Sequence, residues 1–228
     1  NSDAYINPST IQTALSSSNI SLNATRDIKI QSTISLSNNP NTLTLDSGNT
    51  IVIDQSITGV GALNLHSDHG VVVNADLNAK SINVRATASG GLSGSGNISV
   101  DSSGFNDDLE IIQVGDTTYS GVISGNGGLR KEDIGTLNLS GANTYSGSTS
   151  IDSGTLLVSG TLSDQTVVNV NSGAVYKVGS AHSIGGLQGA GTADLNGNGL
   201  TVNIANASTS TTFSGVIAGS GSGSSLNK

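Results

Sequence analysis

Short apolar triplets recur along this chain at nearly constant spacing, and that spacing leaves few folds open. Ile28-Lys29-Ile30, Leu43-Thr44-Leu45, Ile51-Val52-Ile53, Leu63-Asn64-Leu65, Val71-Val72-Val73, Ile82-Asn83-Val84 and Ile98-Ser99-Val100 all carry apolar residues at their outer positions. The middle position is usually polar, so the period is 2 and each triplet buries one face as a short strand. Leu43 to Leu63 and Ile51 to Val71 are both separations of 20 residues, and Ile151-Asp152-Ser153-Gly154 returns as Val170-Asn171-Ser172-Gly173 after 19. Recurrence at about 20 residues is the spacing of a solenoid. The expectation is an all-β parallel β-helix, with two or three short strands and their turns in each rung of about 20 residues. Such rungs stack at about 4.8 Å.

Composition alone points elsewhere. The chain has 31 Gly and only 3% aromatic residues, as a flexible linker would. Linkers, however, lack regularly spaced Ile, Val and Leu, because nothing in them buries such side chains. In a β-helix the glycines and asparagines fall at corners that need positive φ, while Ser and Thr take outward strand positions. Pro8 and Pro40 lie outside the triplets, where no ladder donor is lost. Ser9 to Leu15 reads as a short helical turn with Ser9 as its cap, placed to cover the first strands.

With no cysteine, a disulfide framework and a thiolate metal site are both excluded. A net charge of −8, from 8 basic and 16 acidic residues, argues against a nucleic-acid partner. No apolar run reaches membrane-spanning length and no leader peptide is visible, so no membrane insertion of this segment is expected. The missing Met and the break at Ser225-Leu226-Asn227-Lys228 read as a piece of a longer protein, with any export signal or anchor outside the chain. Thr118-Tyr119-Ser120-Gly121-Val122-Ile123-Ser124-Gly125 also returns 94 residues later as Thr212-Phe213-Ser214-Gly215-Val216-Ile217-Ala218-Gly219, which reads as a repeat cut short.

Two stretches resemble known families. Val122-Ile123-Ser124-Gly125-Asn126-Gly127-Gly128-Leu129-Arg130-Lys131, followed by Gly135-Thr136-Leu137-Asn138-Leu139-Ser140-Gly141-Ala142-Asn143-Thr144-Tyr145-Ser146-Gly147, resembles the autotransporter-associated β-strand repeat of type V secreted bacterial passengers. Ile184 to Thr192 and Leu195 to Val202 continue it; Glu132-Asp133-Ile134 departs from it and is expected to alter one corner only. Residues 5 to 86, from Tyr5-Ile6-Asn7-Pro8 onward, resemble the repeats of filamentous-haemagglutinin-like exoproteins. The resemblances imply one right-handed β-helix over 1–228, haemagglutinin-like over 1–115 and autotransporter-associated over 116–228. They further imply a surface adhesin, tethered to the outer membrane through a β-barrel translocator outside this chain. The partners so implied are a host cell surface, extracellular matrix, glycans or sibling bacterial cells.

Candidate chemistry is sparse. His66-Ser67-Asp68-His69 offers two imidazoles to a divalent metal, but His66 follows an inward-facing triplet and so points outward, and His69 sits in a turn. Asn106-Asp107-Asp108 with Glu110 is the densest acidic cluster and the candidate for calcium, although its spacing fits no calcium loop. No cofactor is implied. For catalysis, a polysaccharide-degrading β-helix needs clustered carboxylates or a base beside a cation. The basic residues are scattered and Asp194 shows no partner, so the expectation is no enzyme. Tyr5, Phe105, Tyr119, Tyr145, Tyr176 and Phe213 are too few for a sugar platform and fall largely at packing positions, and the Thr residues do not share one rung position as ice binding would want. Asn19, Asn23, Asn97, Asn138 and Asn206 begin glycosylation sequons of the kind that chance produces in such a composition.

Overall fold

A computed structural model of the chain describes residues 7–101, 108–203, 211–219 and 222–228. It is a β-solenoid of about 9 turns with about 20 residues per turn, nearly all β. The first sheet begins β1 (Ile20–Ala24), β4 (Thr42–Ser47), β6 (Ile57–Ser67), β8 (Leu77–Ala86), β11 (Leu109–Gln113). It continues β14 (Leu129–Glu132), β16 (Thr149–Ile151), β18 (Val167–Val170), β21 (Gly186–Gly189), with β3 (Ile34–Ser35), β10 (Ile98–Val100) and β13 (Ile123–Gly125) as side branches. The second sheet starts with β2 (Ile28–Ile30), β5 (Thr50–Ile53), β7 (Gly70–Val73), β9 (Leu92–Gly94) and β12 (Thr117–Tyr119). Beyond these it runs β15 (Thr136–Leu139), β17 (Thr155–Val158), β19 (Val175–Val178), β22 (Thr192–Asp194) and β24 (Val216–Ala218). A third sheet forms late in the chain from β20 (His182–Ile184), β23 (Gly199–Val202) and β25 (Ser225–Asn227).

The register follows the sequence period. Leu43 lies opposite Leu63, Ile51 opposite Val71, and Ile151 opposite Val170, all in parallel ladders. The outer residues of each triplet face a narrow core: Leu43, Leu45, Leu63, Leu65, Val71, Val73, Leu137, Leu139, Leu156 and Val158 are all fully buried. A slip of one residue in any strand would turn that whole set to solvent, so burial itself fixes the register.

Most glycines serve closeness rather than dihedral freedom. Gly141 and Gly147, placed at corners by the sequence, do not take positive φ. A Cβ on Gly141 would stand 2.2 Å from the Gly121 carbonyl oxygen, and one on Gly147 would stand 2.5 Å from the Gly127 carbonyl. Stacked corners leave no room for a methyl group. Gly94 (φ 112°), Gly125 (φ 101°) and Gly189 (φ 104°) do need positive φ. Each opens a Gly-x-Gly corner, and the next coil lays an aromatic-Ser-Gly run over it. The amide of Ser120 donates to the Gly94 carbonyl, that of Ser146 to Gly125 and that of Ser214 to Gly189. Tyr119, Tyr145 and Phe213 thereby lie beside glycines that have no side chain to pack, and the first two are buried. This stacking is the physical content of the echo between Tyr119 and Phe213.

The helix α1 (Pro8–Leu15) forms, but its cap is Asn7 rather than Ser9: the Asn7 side chain accepts from the Ser9 amide at 3.0 Å and Pro8 takes the first turn. Ile11 and Leu15 are buried against the first coil, Gln12 donates to the Ser35 carbonyl, and the Asn39 and Asn41 amides donate to the Leu15 carbonyl. Ser and Thr are not confined to the outside either. Ser47, Ser67, Thr149 and Thr166 point inward, where their hydroxyls bond backbone at the corners or, for Thr149, the Tyr145 phenol.

Candidate functional site

On the outer face of the first sheet the register stacks Thr44, Asn64, Asn83, Glu110, Arg130, Ser150, Asn169 and Gln188 into one axial column. Beside it run Asp46, His66, Arg85, Ile112 and Glu132. At the centre Arg130 meets three carboxylates: Asp152 through Nε at 2.7 Å, Glu132 through Nη2 at 2.9 Å and Glu110 through Nη1 at 3.3 Å. The Asp152 hydrogen bond, outweighing desolvation, raises the Arg130 pKa. Glu132 is raised in turn, first by its own burial against the pull of Arg130. The guanidinium side chain remains 48% exposed, so solvent screens the whole cluster and each pair contributes little.

A shallow groove of about 550 Å³ lies on this face, lined by Asn64, Ser81, Ile82, Asn83, Asp108, Glu110 and Arg130. Its polar groups are largely spent on one another. The Asn83 amide donates to Glu110, Asn64 to Thr44 at 3.3 Å, and the Asp108 carboxylate accepts the Gly128 amide at 2.7 Å. The same economy governs the corners, where an amide in one coil answers a carboxylate in the next: Asn49 to Asp27, Asn74 to Asp54, Asn97 to Asp76 and Asn171 to Asp152. Alternating acid with amide keeps carboxylates from stacking on carboxylates 4.8 Å apart.

Of the metal candidates, His66 lies on the outer face between Asp46 and Arg85, and His69 is exposed in the turn before β7. Asp108 and Glu110 sit on opposite sides of inward-pointing Leu109, engaged as described, and Asp107 lies outside the described residues. Among the described residues no group of three or more His, Cys, Asp or Glu is close enough to hold a metal ion. Asp194, partnerless in sequence, stands 3.6 Å from Lys177 one coil below. Thr136, Thr155 and Thr192 do share one rung position on the second sheet, contrary to the sequence reading, but Val175 and Val216 interrupt the row. The sequons at Asn19, Asn23, Asn97 and Asn138 fall within the described solenoid, whereas Asn206 is outside it.

The residues that sequence reasoning missed are buried ones. Lys131 is wholly buried, its Nζ donating at 2.8 Å to the carbonyls of both Glu132 and Asp133, and burial lowers its pKa to about 8. Strand parity held the signal: Leu129 inward, Arg130 outward, Lys131 inward. Gln113 fills the inner corner one coil earlier, donating to the Gly115 and Thr136 carbonyls and accepting the Leu92 amide. Asn143 does the same at another corner, receiving the Ile123 amide and donating to Gly141 and Thr161. These side chains satisfy corner backbone that no ladder reaches. The Glu132-Asp133-Ile134 departure alters this corner, with Asp133 at φ 68° and Ile134 73% exposed, while the strands on either side keep their ladders.

The segment that holds Arg130, Lys131, Asn143 and Tyr145 is also where a comparison with known families succeeds. Residues 129–158 match the passenger-associated transport repeat. That repeat covers β14 to β17, more than one full coil, with the buried lysine, the asparagine corner and the aromatic stacked beside Gly125. The match and the β-solenoid together fit a passenger region of an autotransporter. The passenger-associated transport repeat points to secretion to the cell surface and implies a translocator partner. No described helix is long and apolar enough to cross a membrane. No curated protein and no solved structure matches the chain at a significant level.

Proposed function

We propose that this chain is a stiff stalk segment of a large bacterial surface adhesin, which holds attachment or aggregation activity away from an outer membrane to which a β-barrel translocator tethers it. Cell attachment through host surfaces, matrix, glycans or sibling cells belongs to the assembled adhesin. The observation that carries the reading is the continuous parallel ladder, across which Asn83 and Glu110, Arg130 and Asp152, and Asn171 and Asp152 pair coil to coil on the outer face. Bending such a rod means breaking parallel ladders, and nearest-neighbour stacking makes reach additive in the number of coils. On this proposal the haemagglutinin-like stretch 1–115 and the autotransporter-associated stretch 116–228 are two sequence styles of a single scaffold.

Catalysis is the rival reading, and the groove around Asp108, Glu110 and Arg130 is where it would reside. A panel of cells, glycans and matrix proteins, together with polysaccharide turnover assays on the isolated chain, separates the two. The stalk reading expects neither saturable binding nor turnover. Turnover abolished by Glu110→Gln would establish the enzyme instead, and saturable binding would make the segment itself an adhesive module.

A further inference from the structure

In the later coils a buried phenol and a half-buried imidazole meet in a way that ties local packing to pH. Tyr176, on β19, is fully buried, and its hydroxyl oxygen lies 2.5 Å from Nε2 of His182 on β20. The rings meet edge to face, with centroids 6.1 Å apart and planes at 88°. The other ring nitrogen, Nδ1, is 2.8 Å from the Ser180 carbonyl oxygen.

These contacts fix the proton positions. A carbonyl only accepts, so the neutral imidazole carries its hydrogen on Nδ1 and leaves Nε2 as an acceptor. Tyr176 must therefore donate. Once His182 is protonated both ring nitrogens are donors, so the phenol has to accept and turn its own hydrogen into an apolar interior. Acid thus creates a half-buried cation and a stranded donor at one point.

We infer that the Tyr176–His182 pair is an acid-sensitive joint, whose protonation loosens the coils from Tyr176 to Val202 while the earlier coils stay closed. Among the described residues none gives the imidazolium a counter-charge. From β19 the facing group is Tyr176, with the Tyr145 phenol close enough to influence it, and from β23 the register partner is Leu200. Lys177 and Asp194 pair with each other at 3.6 Å on the outer face of β19 and β22. Burial lowers the His182 pKa, opposed by the Ser180 carbonyl, and no charged side chain is among the causes.

The sign follows from linkage. A depressed histidine pKa means that the unfolded segment takes up its proton first as pH falls. Stability is full above the unfolded value of about 6.5 and declines below it. Opening of this region should therefore be more frequent at pH 5.5 than at pH 7.5, by up to about tenfold, the limit that the unfolded value sets.

Hydrogen-exchange mass spectrometry on the whole chain at these two pH values, corrected for intrinsic rates, reads this directly. Protection in 176–202 should fall, by up to about tenfold, with residues 28–100 unaffected. His182→Gln, which keeps a donor and an acceptor but does not titrate, should flatten the response, and Tyr176→Phe should reduce it. An equal response in the His182→Gln protein, a Tyr176→Phe protein that responds as the parent does, or loss spread over all coils would each overturn the joint. Should a variant not fold, imidazole NMR on the parent chain decides: hydrogen on Nδ1 of the neutral ring supports the pair, and hydrogen on Nε2 refutes it.

Discussion

Lys131 shows how a single residue is used against its chemistry. An ammonium in a hydrocarbon core costs several kcal/mol unless it is hydrogen-bonded, and here two corner carbonyls, with Asp133, Asp116 and Glu132 nearby, hold it in place. The folded chain therefore releases this proton near pH 8, whereas an unfolded lysine keeps it to about 10.4. Between those values the unfolded state binds more protons, so stability should rise with pH, by about 1 kcal/mol from pH 8 to 9. Above about pH 9 this gain is opposed, since burial raises the pKa of Tyr119, Tyr145 and Tyr176 and the unfolded phenols ionise first. Urea titrations at pH 8, 8.5 and 9 should show the rise in the parent chain and a flat profile in Lys131→Met. A parent profile that is level or falling over this window would mean that Lys131 is solvated.

At the scale of strands and corners, the sequence was legible wherever parity and period decide the outcome. The triplets Leu43-Thr44-Leu45 and Leu63-Asn64-Leu65 announced both the strands and their mutual register, because a period of 2 inside a period of 20 admits one stacking. Corner chemistry was less legible. Ser9 and Asn7 are both good helix caps by type, and only the placement of Pro8 within the first turn distinguishes them. Arg130 and Lys131 look like one basic pair until parity divides them between solvent and core. The Arg130 cluster depends on contacts between residues 20 and 22 apart, at Glu110 and Asp152, which composition and motif cannot show. For the corners, two glycines separate closeness from dihedral freedom. A Cβ on Gly121 would come within 1.8 Å of the Gly96 carbonyl oxygen, whereas Gly173 has φ 85° and nothing within 4 Å. Gly121→Ala should cost about 3 kcal/mol or more, because backbone must move, and Gly173→Ala about 1 kcal/mol from strain alone. Equal losses in chemical denaturation would contradict the stacked-corner description.

For the molecule as a whole, the stalk reading rests on coils that are interchangeable units of length. Each contacts its neighbours through parallel ladders and offers the same inward rows, so removing one coil should leave a shorter rod of the same kind. Residues 152–170 form such a unit: after their deletion Ile151 is followed by Asn171-Ser172-Gly173 in place of Asp152-Ser153-Gly154, and the register partner of Ile151 is Val170. Lys29 and Lys177 stand on one outward column of the second sheet, which passes Val52, Val72, Asn138 and Leu157. The chain contains no cysteine, so Lys29→Cys with Lys177→Cys gives two unique spin-label sites. Double electron–electron resonance between them should give a narrow distance of about 34 Å, for seven rungs of about 4.8 Å, and a peak shorter by about 4.8 Å when 152–170 is removed. A broad distribution in the parent chain, or a peak that does not move by one rung on deletion, would contradict the rod.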